Sequence, residues 1–210
     1  MHIIVKNSFL FCLSFIILLV FSSDAMAQSF KLLVPVGFNF TQVDGDDLAG
    51  YNKVGLNTGI GTMIVLGEIE QFETGFEILY SQLGSNTSSR SPNQIKLAFD
   101  YASIPIYFNY KDKGKGYIGT GVVINRMVNQ RRIENGIDLA IVDSVKNTAV
   151  DIMGQIGYLF NPNIRLTLRA SYSLVQFGIE QRLQHNYITL RIDTILNGLL
   201  KRRKRSGFTK

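Results

Sequence analysis

The chain has 210 residues, a formal net charge of +6 and a single cysteine. This length suffices for one domain, and one cysteine excludes an internal disulfide framework. Much of the excess positive charge lies in residues 201–205, so the rest of the chain is near charge balance and gives no indication of nucleic-acid binding.

The first 27 residues have the features of a cleaved secretory signal peptide. Lys6 provides a positive start, residues 9–21 form an apolar run that contains Cys12, and Ala25 and Ala27 complete an A-x-A cleavage site. An N-terminal membrane anchor is the alternative, but this run is shorter than the ~20 residues that a spanning helix needs. We therefore expect an exported mature chain without a thiol.

After residue 27 the sequence alternates between apolar and polar residues with a period of two. In the first such segment, Phe38 and Phe40 alternate with Gly37 and Asn39. Because successive side chains of a strand point to opposite faces, one face of each strand is apolar and the other polar. The pattern predicts eight strands, in chain order residues 30–40, 54–66, 71–81, 95–110, 117–126, 148–160, 164–174 and 186–196.

The fourth of these strands changes phase. Its apolar residues lie at odd positions up to Tyr101 and at even positions from Ile104 onward. One extra residue near Ala102 and Ser103 would restore the apolar face, which is the effect of a β-bulge. Pro105 fits beside such an irregularity because proline cannot donate to the ladder.

The connections between the predicted strands alternate between long and short. The long ones are residues 42–53, 82–93, 127–147 and 175–184, and the short ones are 67–70, 111–116 and 161–163. Outer-membrane barrels sort their connections in this way, with long loops outside the cell and short turns in the periplasm. The sequence therefore predicts an all-β, eight-stranded antiparallel up-and-down transmembrane barrel over residues 28–200, followed by a basic periplasmic tail over 201–210.

Aromatic residues of the apolar face fall near the strand ends, as in the two aromatic girdles of a lipid-facing wall. The predicted periplasmic girdle comprises Phe30, Phe72, Phe108, Tyr110, Tyr158 and Phe160, and the outer girdle comprises Phe38, Phe40, Tyr80 and Tyr172. A soluble lipocalin-like barrel that binds an apolar ligand is the alternative, with the two faces reversed.

The polar face carries charges of both signs with glycines between them. Long charged side chains inside a narrow barrel need small neighbours, and buried charges need partners. We therefore predict an ion network in the barrel interior, formed by Lys31, Glu73, Glu77, Asp100, Asp151, Arg165, Arg169, Arg191 and Asp193.

Residues for catalysis or metal binding are sparse. The chain has no G-x-S-x-G, H-E-x-x-H or P-loop motif, and His185 is the only histidine after residue 27. Pairing of His185 with a rim serine would make an outer-membrane enzyme acting on lipid or peptide. Asp44, Asp46 and Asp47 could bind a hard cation through their oxygens, but a polar surface turn is the favoured interpretation. We predict no catalytic residue, no metal and no cofactor.

Two segments carry a family resemblance. Residues 77–84 (EILYSQLG) and 101–106 (YASIPI) resemble the PorT-like outer-membrane β-barrel proteins of Bacteroidota, in which a Tyr-Ser-x-x-Gly strand end precedes a Tyr-x-x-Ile-Pro strand. The resemblance implies an eight-stranded barrel in the cell outer membrane, and the founding member is linked to secretion and gliding. Unlike many such barrels, this chain does not end on an aromatic residue.

These observations predict a non-catalytic integral outer-membrane protein with a structural, surface-binding or secretion-accessory role. Its expected partners are outer-membrane lipid, the barrel-assembly machinery and surface or secretion proteins. We expect no binding of nucleic acid.

Overall fold

The computed structural model describes residues 29–45, 50–66, 70–87, 94–139, 146–175 and 184–196. The predicted signal peptide and basic tail lie outside these ranges. Within them, no helix is long and apolar enough to cross a membrane.

The described residues form strands that close into one antiparallel barrel. Eight long strands surround the lumen, and a short one, β6, pairs with β5 alone. Each long strand pairs with its neighbours in sequence, and β1 closes the barrel against β9. The strands are β1 Ser29–Asp44, β2 Lys53–Leu66, β3 Phe72–Asn86, β4 Ile95–Lys111, β5 Gly116–Glu134, β6 Ile137–Leu139, β7 Thr148–Asn161, β8 Ile164–Ser173 and β9 Gln184–Leu196. The predicted fold class is confirmed.

The two ends of the barrel differ in their connections. At the turn end, residues 112–115 join β4 to β5, residues 162–163 join β7 to β8, and the start of β1 lies beside the end of β9. At the opposite loop end, several strands run further than the sequence suggested. β3 continues to Asn86 and β5 to Glu134, so residues predicted as loop are still paired in the sheet. Their outward side chains include Gln82, Asn129 and Arg131, so the apolar outer face that marks a lipid-facing strand is lost there.

The predicted bulge in the fourth strand is wrong in its position. The irregularity lies on β5, where Asp100 pairs with Asn129 and Tyr101 with Met127, so that Val128 is the extra residue. β4 itself keeps its phase, since every odd residue from 99 to 109 is buried. The sequence suggested a phase change in β4 because Phe99, although apolar, lies on the inner face.

The outer wall of the barrel is a belt of exposed apolar side chains. Ile118, Val54 and Leu168 are 60%, 58% and 42% exposed to their surroundings, respectively. All ten aromatic residues assigned to the two girdles are also exposed on this wall. A water-soluble protein does not leave so continuous an apolar surface uncovered. The soluble lipocalin-like alternative is therefore wrong, because the apolar face points outward and the polar face inward.

Candidate functional site

The centre of the lumen holds an ion cluster around Glu77. Arg191 binds this carboxylate with two hydrogen bonds, Nη1 to Oε2 and Nη2 to Oε1, each 2.7 Å long. Arg169 approaches from β8, with Nη2 3.4 Å from Oε2. All three side chains are at most 3% exposed. The two parallel hydrogen bonds make the Arg191–Glu77 pair strong and fix its orientation, because a planar guanidinium matches both oxygens of a carboxylate.

A second group of charges lies one level nearer the turn end. Arg165 donates from Nε to Asp193 Oδ2 over 2.8 Å, and its Nη1 lies 3.5 Å from Glu73 Oε2. Asp193 connects the two groups, since its Oδ1 is 3.0 Å from Arg191 Nε. Together the groups contain three arginines and three acidic residues, so the formal charges of the cluster cancel.

Strand alternation and register produce this arrangement. Arg165 and Arg169 are four residues apart on β8, Glu73 and Glu77 four apart on β3, and Arg191 and Asp193 two apart on β9. These even spacings place each pair on the inner face of its strand. β3 lies across the lumen from β8, so each arginine bridges strands that share no ladder hydrogen bonds.

Glycines on the inner face provide the space for these side chains. A Cβ added at Gly61 would lie 2.6 Å from Glu77 Cγ, and one added at Gly75 would lie 2.4 Å from Tyr107 Cζ. Both distances are shorter than non-bonded contact allows, so any larger residue would displace the cluster or the ring beside it.

Aromatic and amide side chains complete the cluster. Tyr107 accepts a hydrogen bond from Arg165 Nη2 over 3.3 Å and lies under the Arg169 guanidinium, 5.5 Å from it. Arg169 Nε donates to Gln155 Oε1 over 3.0 Å, and Arg165 stacks over the Tyr117 ring. Tyr107, Tyr117 and Gln155 were not among the network residues predicted from the sequence. All three lie at inward-facing positions of the strand alternation, and this position was the signal that could have identified them.

The structure separates three of the predicted network residues from the cluster. Lys31 lies near the turn end and is half-buried, and the ion pairs among the described residues do not include it. Asp151 is buried but hydrogen-bonds to neutral groups, the amide of Asn125 and the hydroxyl of Tyr187. Asp100 was placed on the wrong face: it lies between two inward residues of β4, so its side chain is on the outer wall.

Apolar residues close the lumen on both sides of the cluster. At the loop end, Val43, Leu83, Phe99, Tyr101 and Tyr187 form a buried group. At the turn end, another buried group consists of Leu33, Met63 and Ile195. The charges between the two groups are therefore removed from water, which makes each carboxylate depend on its arginine.

The candidate catalytic histidine lies inside the loop-end apolar group. His185 is 1% exposed, and its Nε2 is 2.6 Å from the hydroxyl of Tyr101. The ring packs edge-on against Phe99 and Tyr101. This position gives a reactant no access to the imidazole. Among the described residues, no group of three or more His, Cys, Asp or Glu could hold a metal ion. Asp46 and Asp47 lie outside the described residues.

Comparison with solved structures supports the architecture. Ail, the attachment invasion locus protein of Yersinia pestis, is 12% identical with a TM-score of 0.51, over 80% of this chain and 99% of Ail. Neisserial surface protein A is 11% identical with a TM-score of 0.48, over 79% of this chain and 96% of that protein. No protein-family model and no curated protein matches the sequence. At such low identity the likeness to Ail shows the fold alone.

The closed eight-stranded barrel and its exposed apolar wall locate the protein in the outer membrane. The narrower resemblance to PorT-like proteins stays a prediction.

Proposed function

We propose that this protein is a non-catalytic outer-membrane barrel that conducts no solute and presents its loop end at the cell surface as a binding platform. The mature chain would be exported through its signal peptide and inserted by the barrel-assembly machinery. The binding partner would be a surface or secretion protein, and the PorT-like resemblance favours a secretion-accessory role.

The observation that carries this proposal is the filled lumen. Eight strands leave an interior just wide enough for side chains to fill. Here the middle is occupied by the ion cluster around Glu77, and apolar groups lie above and below it. A hydrated solute could pass only if buried ion pairs broke, and breaking a buried pair is strongly unfavourable.

The burial of the candidate catalytic histidine supports the non-catalytic part of the proposal. His185 is buried and hydrogen-bonded to Tyr101, and the charged groups of the central cluster are paired with one another. What the described part of the chain exposes to the outside is instead the loop-end rim, including the extended β4–β5 hairpin and β6. This rim is the part of the protein that a partner could reach.

The test is the conductance of the purified protein in planar lipid bilayers. The wild type is expected to insert without forming stable channels. A matched variant that removes the central carboxylate and its bidentate partner together, Glu77→Ala with Arg191→Ala, should give small openings if it still folds. Large, stable channels from the wild type would mean that the protein is a porin, and the proposed function would be wrong.

A further inference from the structure

One side of the loop end rises above the rest of the barrel. β4 and β5 contain 17 and 19 residues, whereas β8 contains 10. A strand needs only about 9–11 residues to cross the membrane. The loop-end third of this β4–β5 pair is the start of β4 and the end of β5. It therefore stands beyond the apolar wall, within and above the headgroup layer.

The outer face of the raised hairpin is basic. Arg126, Arg131 and Lys96 are exposed on it, one above another, and we call these three residues the basic ladder. Asp100 lies on the same face but is 8% exposed, and it accepts hydrogen bonds from Gln82 and Asn129. Its charge is thus covered by neutral amides.

Two further lysines lie near the ladder. Lys146 is exposed just before the β7 end that pairs with Arg126. Buried Lys53 lies close enough to interact with Lys96 and Asp100. Arg132 and Glu134 form an ion pair with each other. The exposed carboxylate of Asp138 lies one strand away, on β6. On the far side of the barrel, the loop-end rim positions Gln184 and Asn186 are neutral. The positive charge is therefore concentrated on one face of the rim.

Strand register gives the height of each step. Arg126 pairs with Ala102, which pairs with Tyr80 of the outer girdle. It also follows Ile124, an exposed residue of the apolar wall on the same face of β5, so Arg126 lies near the edge of that wall, next to the headgroups. Arg131 pairs with Ala98, which is about 13 Å further along β4 at ~3.3 Å per residue. With a tilt of ~45°, this places Arg131 roughly 9 Å above Arg126, and Lys96 lies two residues beyond Ala98 towards the loop end of β4.

We infer that the basic ladder binds the phosphate groups of an outer-leaflet glycolipid. Arg126 is held in place by a 3.0 Å hydrogen bond from Nη1 to Thr148 Oγ1 and faces the headgroup level. Guanidinium groups recognise phosphate oxygens with paired hydrogen bonds. Phospholipid headgroups add only about 5–8 Å on each side of the hydrocarbon core. Arg131 and Lys96 stand above that layer, so the ladder fits a lipid with phosphates on its sugar core as well as at its base.

The experiment measures binding of defined lipids to the purified mature chain in detergent micelles. The probes are a lipopolysaccharide with a phosphorylated inner core, diphosphoryl lipid A without the core, and phosphatidylglycerol. The test variants are Arg126→Gln alone and Arg131→Gln with Lys96→Gln. The matched control is Lys113→Gln with Lys115→Gln, which removes the same charge from the turn end. Circular dichroism checks that each variant is folded.

The ladder predicts a graded result. At about 1 kcal/mol per basic residue, Arg126→Gln should bind both glycolipids about fivefold more weakly. Arg131→Gln with Lys96→Gln should weaken binding of the core-bearing lipid about 30-fold and leave lipid A binding unchanged. The turn-end control should bind like the wild type.

Three results would overturn the inference. These are equal loss in the turn-end control, equal binding of phosphatidylglycerol by the wild type, and undiminished binding of the core-bearing lipid by the Arg131 and Lys96 double variant. The inference shares with the proposed function only the outward orientation of the loop end. Binding in micelles does not depend on that orientation or on conductance, so the two can fail separately.

Discussion

The inner and outer faces of β8 show how one strand serves two environments. Leu168 and Arg169 are neighbours in sequence, yet Leu168 is 42% exposed on the apolar wall and Arg169 is 3% exposed in the ion cluster. The same contrast recurs on β9, where Ile192 is 52% exposed and Arg191 is 1% exposed. Backbone hydrogen bonding is the same on both faces, so the difference lies in the side chains alone.

This contrast teaches that the two faces are stabilised in different ways. On the outer face, any apolar side chain of suitable size can face lipid, so single positions are tolerant. On the inner face, each charge has a specific partner, and removal of one partner leaves the other buried and unpaired. The predictions below test this difference, beginning with the largest expected effect.

Removal of the central carboxylate should be the most damaging single change. Glu77→Ala leaves Arg169 and Arg191 without their shared partner, and we expect a loss of about 3–5 kcal/mol in the free energy of unfolding. Urea unfolding in lipid vesicles measures this. The matched control is Glu134→Ala, whose partner Arg132 is partly exposed, and its expected loss is about 0–1 kcal/mol. Equal losses in the two variants would contradict the assignment of a dry interior.

Introduction of a charge on the outer face should cost somewhat less. Leu168 lies near the middle of β8, so Leu168→Arg should lower the free energy of unfolding by about 2–4 kcal/mol in vesicles. Leu174→Arg, at the loop-end rim, should cost only about 0–1 kcal/mol because arginine reaches the interface there. If Leu168→Arg were tolerated as well as Leu174→Arg, this wall would not face lipid.

A single methyl group should distinguish the faces as well. Gly75→Ala places a Cβ against the Tyr107 ring, and such overpacking costs about 1–3 kcal/mol. Gly154 lies on the outer wall with no heavy atom within 4 Å of an added Cβ, so Gly154→Ala should be neutral or stabilise by up to ~1 kcal/mol. The same vesicle unfolding assay compares them, and a reversed order would refute the packing described for the lumen.

The smallest effect is expected from insertions at the loop end. Epitope tags at Asn135, in the exposed turn between β5 and β6, and at Ser88, outside the described residues, should leave stability unchanged. Both tags should be labelled on intact cells. Labelling only after rupture of the outer membrane would reverse the predicted orientation.

Alternation alone was enough to predict the barrel and the face of most residues. It succeeded because the period of a strand is fixed by backbone geometry. It failed at Phe99 and Tyr101, because there the lumen is closed by apolar side chains while the outward residue between them, Asp100, is charged, which reverses the usual polarity of the two faces. The ends of β3 and β5 were also missed, because outward positions beyond the membrane, such as Gln82 and Arg131, are polar and the regular apolar outer face is lost.

The pairing inside the cluster lies beyond what a sequence pattern can give. Arg191 and Glu77 are separated by 114 residues in the chain and meet across the lumen. Which arginine reaches which carboxylate depends on the relative height of non-adjacent strands, set by the register of every pairing between them. This is also why Asp151 and Lys31, inward by parity, do not join the ion pairs.

The most direct test of a closed and dry lumen uses cysteine reactivity. The only cysteine of the chain, Cys12, lies in the predicted signal peptide, so single cysteines can be introduced into the mature protein. Ser171→Cys and Thr189→Cys place thiols in the lumen, and Leu174→Cys places one at the exposed rim. In vesicles, a small water-soluble thiol reagent should modify the rim cysteine rapidly and the two lumen cysteines only after denaturation. Rapid modification of either lumen cysteine in the folded barrel would contradict the sealed interior.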